Sequence, residues 1–425
     1  MRVALLTYST KPRGGVVHTL YLAEALAAAG ADVSVWSLAR GGDEGFFRPV
    51  DPRVQVCLVP FPDRPGEEVG ARILRSIAVL REAFDGSQYD VVHAQDCISA
   101  NAAGRCIRTV HHLDQFSTPA LAACHERAIV EPYAHVCVST AVAAELRADW
   151  GLTATVIPNG VDAARFAAAA GEEPIAAAAR DRWRSRLGRY VLTVGGIEPR
   201  KGSLDLLEAA ARLDGMPLVI AGGETLFDYR SYRAKWEARA AELDLAPLVL
   251  GPVDDAQLPS LVAGAEVFAF PSVKEGFGLA PMEALAAGIP VVVSDLPVFR
   301  EIFGDAATYA TGPESLATAI RAARGDLSRK DLGRAVAAGY TWDAAAEAHL
   351  ALYSAYRPSE PGRRHRPAAD GGSGDCLAQL TAGPATSDLQ RLRSLADDVD
   401  GGLRLRQHRD VAGVQLEGLG PHPLG

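Results

Sequence analysis

Residues 275–283 of this sequence read Glu-Gly-Phe-Gly-Leu-Ala-Pro-Met-Glu and follow the apolar run VFAFP. Two carboxylates, Glu275 and Glu283, are thereby separated by seven residues. Glu275 falls on a loop, where the bare backbone of Gly276 and Gly278 leaves the amides from Gly276 through Phe277 and Gly278 to Leu279 open to an anion. Pro281 suits the opening turn of a helix, because its missing N–H has no partner to lose there, and that helix carries Glu283. The segment sets two acids and a row of amides toward one cleft, ready to hold hydroxyls and phosphates. A chance surface pair is the competing explanation, and it fits poorly with a buried strand before the segment and the run EALAAGIPVVVSD from Glu283 onward.

Two other places add positive charge or free amides. Pro199-Arg200-Lys201-Gly202 follows the strand pattern VLTVG, and open α/β sheets bind ligands at the C-terminal ends of their strands. Arg200 and Lys201 suit a phosphate there; a solvated charged loop explains them equally well in isolation, and the neighbouring Gly195-Gly196 tips the balance toward a site. Gly14-Gly15 lies between the first strand and the first helix, where N–H groups at a helix start attract phosphate. A glycine pair alone is more often an unliganded tight turn, and this one is not the G-x-G-x-x-G of nicotinamide cofactors. Together these are parts that could hold a diphosphate as it leaves a reacting carbon. The leaving diphosphate gathers charge in the transition state, and a metal or a set of cations and amides must stabilise it. This sequence offers the second kind.

Such loops need two sheets to carry them. Apolar runs at 2–7, 33–36, 90–93, 109–112, 136–139 and 155–158 alternate with helical patterns, several of them around 67–84, 119–130 and 140–149, which is the rhythm of a parallel sheet covered on both faces. It restarts at Tyr190 with VLTVG, PLVIAG, PLVLG, VFAFP and PVVVS, separated by helical patterns at 203–213, 229–243, 255–263 and 281–287. Residues 1–165 are expected as one Rossmann-like domain and 186–340 as a second, with an alanine-rich connector and short helix over 163–179 and a hinge near 160–188. Helical patterns follow at 314–324, 328–338 and 342–356. The last of these, within 341–357, is expected to pack back on the first domain. Residues 358–425 contain no Phe, Trp, Tyr, Ile, Met or Lys, too few apolar groups to offset the ordering of a backbone. They are expected to form a disordered tail with one weak helix at Ser387–Asp397.

Composition narrows the partners. At 425 residues and 48% hydrophobic, the chain can bury more than one core. A formal net charge of −9 disfavours bulk nucleic-acid binding. The first eight residues lack the pattern of a secretion leader, and no uncharged run reaches the ~20 residues of a membrane span, so a cytoplasmic location is expected. Six scattered cysteines show no C-x-x-C pair and no zinc spacing, and read as reduced thiols. Asp398-Val399-Asp400 imitates a D-x-D metal-binding motif but lies in the tail, so no metal is expected. Arg72, Arg75 and Arg81, interleaved with Ile73, Leu74, Ile77 and Phe84, allow an amphipathic membrane-surface helix; a core-facing stripe with a solvated back explains them better.

The segment Glu275 to Val292 resembles the E-x7-E signature of retaining GT-B glycosyltransferases of family four. Supporting matches are Gly14-Gly15, Asp90-Val91-Val92-His93, Thr109-Val110-His111, Val138-Ser139, Ile157 to Asp162 and Lys201-Gly202, and the resemblance covers about residues 1–356. It implies a GT-B fold, with two doubly wound parallel-sheet domains facing a central cleft, the acceptor bound by the first and a nucleotide-diphosphate sugar by the second. By the same resemblance Glu275 binds donor-sugar hydroxyls, Glu283 the nucleotide ribose, and Lys201 the diphosphate, aided by amides around Gly15 and Gly276–Leu279. His111 stands by the transferred sugar, its register favouring it over His112, and His93 reads as structural. The family places an arginine where this chain has Gly196, and Arg200 is the candidate substitute. No cofactor is implied. Donor base, sugar and acceptor, whether small molecule, glycan or lipid-linked, stay open. The competing functions are a nucleotide-sugar epimerase or hydrolase on the same fold, and a non-catalytic two-lobed sugar-binding protein.

Overall fold

The computed structural model describes residues 1–114, 118–213, 215–222 and 229–356. Among these, seven strands form a first sheet: β1 (Arg2–Leu6), β2 (Asp32–Arg40), β3 (Val54–Phe61), β4 (Val91–Ala94), β5 (Ile107–Val110), β6 (Ala134–Cys137) and β7 (Thr155–Val156). They lie in the order β3-β2-β1-β4-β5-β6-β7, every pair parallel. Six more form a second sheet: β8 (Val191–Val194), β9 (Leu218–Ala221), β10 (Leu248–Gly251), β11 (Val267–Phe270), β12 (Val291–Ser294) and β13 (Thr308–Ala310). Their order is β10-β9-β8-β11-β12-β13, again parallel throughout. In each sheet the order reverses beside the first strand, which opens a crevice at the strand ends of β1 and β4 and of β8 and β11.

The strands read as apolar runs because helices cover both faces. Val3, Ala4, Leu5 and Leu6 of β1 are fully buried, as are Val267, Phe268 and Ala269 of β11. The expected strand over 109–112 ends at Val110, so His111 and His112 stand on the loop beyond it. Strand β3 and the seven-residue helices Cys97–Ala103 and Pro297–Phe303 were not foreseen. The alanine-rich stretch is two helices, Ala163–Ala169 and Pro174–Leu187, rather than a connector with one short helix. The chain then returns: the helix Trp342–Ala355 packs on the first domain, with Trp342, Ala345, Ala346, Leu352 and Tyr353 sharing a core with β1, β2 and the Gly14–Ala28 helix. Tyr353 binds His93 Nδ1 at 2.7 Å, and His93 Nε2 meets Thr109 Oγ1 at 2.7 Å.

The outgoing and returning connections touch. Val161 N–H donates to the Tyr340 carbonyl at 3.0 Å, and a Cβ added to Gly160 would lie 2.4 Å from Trp342 N. Only glycine fits that crossing.

The Val69–Ala83 helix turns Ile73, Ser76, Ile77 and Leu80 inward. Arg75 forms a two-armed pair with Glu67 at 2.6 Å, and Arg81 donates to the Asn101 carbonyl at 2.7 Å. Its apolar stripe therefore serves the core. No described helix is long and apolar enough to cross a membrane. Five cysteines, Cys57, Cys97, Cys106, Cys124 and Cys137, are free thiols. The tail, its expected helix at Ser387–Asp397 and the Asp398-Val399-Asp400 triplet lie outside the described residues.

Candidate active site

Strand β8 is followed by Gly195 and Gly196, and a single 3-10 turn, Pro199–Lys201, delivers Arg200 and Lys201 to the strand ends. Gly202, at φ +63°, ends that turn so tightly that a Cβ there would lie 2.0 Å from the Pro271 carbonyl oxygen. The turn is thus locked against the residue after β11. The aliphatic stem of Lys201 runs along Gly195, whose missing Cβ would stand 3.4 Å from Cε. Glycine suits position 195 because its φ of +152° is one that other residues rarely adopt.

Lys201 Nζ lies 2.6 Å from Glu275 Oε1 and 4.5 Å from the centre of the Phe270 ring. Arg200 reaches the same oxygen at 2.8 Å, donates to the Lys274 carbonyl at 3.2 Å and pairs with Glu198 at 3.2 Å. Its side chain therefore turns inward, which the sequence left undecided. Burial raises the Glu275 carboxyl, but the charges of Lys201 and Arg200 outweigh it and hold the group at about 2. Burial lowers the Lys201 ammonium, and Glu275 only partly restores it. Two cations thus share one oxygen of Glu275, and Glu198 gives Arg200 a second carboxylate partner.

Gly278, at φ +97°, starts the Leu279–Ala287 helix, and no side chain caps that helix start. Glu283 projects from its second turn. Burial pushes its carboxyl up to about 8; Arg165 opposes that shift while Asp255 and Asp162 add to it. Arg165 was missed from sequence. It comes from the Ala163–Ala169 helix, donates to Tyr21 Oη at 3.0 Å and pairs with Asp255 at 2.8 Å, so it ties the first domain to the second. A lone arginine in an alanine-rich run carries no signal for this.

The first domain supplies the opposite wall. Gly14 and Gly15 occupy the first turn of the Gly14–Ala28 helix, again without a side-chain cap. The His111 ring packs against Gly15, whose absent Cβ would lie 3.7 Å from Nε2, and sits edge-on to His18 at 4.8 Å. That Nε2 is buried without a hydrogen-bond partner among the described residues, and burial keeps the ring's pKa well below its usual value. A neutral imidazole is left with one polar atom for a ligand. His112 Nε2 instead meets Asp114 Oδ1 at 3.2 Å. His18 Nδ1 is held by Asn159 Oδ1 at 2.8 Å, a pair the sequence did not flag. His93, bound on both nitrogens, is structural.

The two walls meet. A Cβ on Gly276 would stand 1.6 Å from the His111 carbonyl oxygen and 3.2 Å from Val138. Glu301 accepts from the backbone N–H of Thr140 at 2.7 Å and of Ala141 at 2.9 Å, capping a first-domain helix with a second-domain carboxylate. Lys201, Arg200, Glu275, Gly276 and His111 are thereby brought together, with Gly15 behind His111. Glu283 lies one helical turn away toward Arg165. No group of three or more His, Cys, Asp or Glu among the described residues is placed to hold a metal ion.

Comparison with known proteins agrees with this geometry. Residues 12–165 match the model of "Glycosyltransferase Family 4", and residues 180–335 that of "Glycosyl transferases group 1". A phosphatidyl-myo-inositol mannosyltransferase of Mycolicibacterium smegmatis is 31% identical over 336 residues, covering 72% of this chain and 79% of the relative. The chain belongs to glycosyltransferase family 4. A D-inositol 3-phosphate glycosyltransferase of Xylanimonas cellulosilytica is 29% identical, over 85% of this chain and 98% of that one. Among solved structures, a sucrose-phosphate synthase of Thermosynechococcus elongatus superposes with a TM-score of 0.69 at 20% identity, over 83% of this chain and 98% of the other. The Anabaena protein HepE with UDP-glucose gives 0.65 at 18% identity, over 84% and 100%. This family 4 glycosyltransferase shares with them the GT-B fold of two Rossmann-like domains.

Proposed function

We propose that this family 4 enzyme transfers a sugar from a nucleotide-diphosphate donor to an inositol-type acceptor, free or lipid-linked, with retention of configuration and without a metal ion, in the cytoplasm. The observation that carries the donor side is the convergence of Lys201, Arg200 and Glu275 at the ends of β8 and β11, facing the glycine turn at Gly15. Lys201 and Arg200 neutralise the leaving diphosphate, joined by amides at Gly14, Gly15, Gly276, Phe277, Gly278 and Leu279. Glu275 orients donor-sugar hydroxyls near the reacting carbon. Glu283 binds the ribose. His111 Nε2 takes the remaining sugar oxygen from the first-domain side.

No nucleophile and base pair is required. The departing phosphate oxygen accepts the proton of the acceptor hydroxyl on the face where that hydroxyl attacks, so the protein contributes orientation and charge stabilisation. The inositol reading rests on the names of the relatives, a phosphatidyl-myo-inositol mannosyltransferase and a D-inositol 3-phosphate glycosyltransferase.

The test begins with thermal shift against uridine and guanosine diphosphate sugars, since a ligand of the folded state raises its stability. The stabilising donor is then incubated with myo-inositol, its phosphates and phosphatidylinositol, with and without EDTA, and the product anomer is read by NMR. Donor consumption that needs no acceptor, an inverted product or strong EDTA inhibition defeats the corresponding part.

A further inference from the structure

Beside His111 stands a second buried histidine to which the donor chemistry gives no part. His18 lies one turn beyond Gly15 on the Gly14–Ala28 helix and is 1% exposed. An apolar ring would fill that space without the cost of burying two ring nitrogens. One of those nitrogens is engaged: His18 Nδ1 lies 2.8 Å from Asn159 Oδ1. An amide oxygen only accepts, so Nδ1 carries a proton and donates it there. His18 Nε2 has no hydrogen-bond partner among the described residues.

The His18 ring is also packed between the interdomain crossing and the reaction centre. Trp342 stands edge-on to it at 5.5 Å between ring centres, and His111 edge-on at 4.8 Å. Asn159 immediately precedes Gly160, whose backbone is pressed against Trp342. His111 in turn sets its ring against Gly15 and its carbonyl against Gly276 of the loop that bears Glu275. Its Nε2 has no partner among the described residues, so that atom does nothing to fix the ring. Gly15 and His18, neighbours on one helix, supply surfaces that limit how far the imidazole can turn.

We infer that His18 is a positioning residue for His111: anchored by Asn159 beside the crossing, it fixes the orientation in which His111 presents Nε2 to the transferred sugar. This rests on the transferase reading above and adds to it a residue that touches no substrate itself.

Three variants of the full chain test it. His18→Asn keeps a side-chain N–H for Asn159 but removes the ring, His18→Phe keeps a ring of similar size but loses the N–H, and Asn159→Ala removes the anchor. Each is expected to lower kcat about tenfold, with donor KM within about twofold of wild type, because a displaced group at the reacting centre costs rate more than binding. In a His111→Ala background His18→Phe should lower kcat no further. An equal loss in both backgrounds marks a role independent of His111 and overturns the inference, as does unchanged kcat in all three variants. The ring itself is followed without catalysis, in protein carrying ¹³C-labelled histidine and glycine. A nuclear Overhauser cross-peak from His111 Hδ2 to Gly15 Hα is expected in the wild type and should weaken in His18→Asn and Asn159→Ala. A cross-peak missing from the wild type, or unchanged in both variants, overturns the inference. A wild type that consumes no nucleotide sugar with any acceptor counts instead against the transferase reading, and the cross-peak still judges whether His18 holds the ring.

Discussion

The backbone of Gly276 passes so near His111 that a methyl group at its α-carbon would stand 1.6 Å from the His111 carbonyl oxygen. This contact joins the loop bearing Glu275 to the loop beyond β5 that bears both histidines. Gly276→Ala must therefore push the domains apart or move the loop. Activity is expected to fall at least about a hundredfold, because small misplacements at a reacting centre cost that much, with far-ultraviolet circular dichroism unchanged. Gly14 has open space at its Cβ position, so Gly14→Ala should leave stability equal or higher. Near-normal turnover in Gly276→Ala would show that the contact is not kept during catalysis.

Lys201→Ala is expected to lower kcat about 10²- to 10³-fold, the usual effect of losing one stabiliser of transition-state charge. Arg200→Ala should cost less, about tenfold, since Lys201 remains. Unchanged donor binding and turnover in Arg200→Ala would leave the phosphate to Lys201 alone. Glu275→Ala should cost both activity and about 3 kcal/mol of stability, because it strands a buried ammonium. Glu275→Gln should recover stability without activity. Steady-state kinetics and denaturant melts separate the two effects.

Glu283 gives a prediction of opposite sign. Its folded-state pKa, about 8, lies above its ordinary 4.5, so the folded protein holds a proton that the unfolded chain releases. The carboxyl therefore destabilises the fold increasingly as pH rises from 4.5 to 8. Glu283→Gln is expected to be more stable than wild type at pH 8, by about 1 kcal/mol or more after allowing for solvent relief, yet to bind donor nucleotide more weakly. Equal melting temperatures at pH 8 would deny the buried carboxyl this role.

Histidines bring a second pH dependence at the seam between the returning helix and the first domain. Burial, then the charge of His349, takes His18 down to about 3, and burial takes His349 to about 4. Both folded values lie below the unfolded 6.5, so their contribution is complete above pH 6.5 and is lost as pH falls toward 4. At pH 5 each removes about 2 kcal/mol, at 1.36 kcal/mol per unit. Wild type should lose more stability between pH 7.5 and 5 than His349→Gln does. Parallel losses in urea melts would show that other groups govern the acid limb.

The sheets were legible because their strands are buried on both faces and so appear as unbroken apolar runs. VALL of β1 and VFAF of β11 are examples. Strand β3 escaped because VQVCLVPF mixes buried and exposed positions and contains Pro60 near its end. The Pro174–Leu187 helix escaped because it buries only Leu187 and has no apolar stripe to read. In the site, glycines and charges at strand ends pointed to Lys201, Glu275 and Gly15. What sequence could not give was direction. His111 and His112 are neighbours on one loop, and only the fold turns one toward Gly15 and the other toward Asp114. Arg165 needed the fold as well, since its partners Tyr21 and Asp255 are 144 and 90 residues away.

The crossing at Gly160 and Trp342 has a mechanical consequence. Because the outgoing and returning segments are hydrogen-bonded side by side, with no room for a side chain at Gly160, they form one paired strap between the lobes, and any movement of one segment there must carry the other with it.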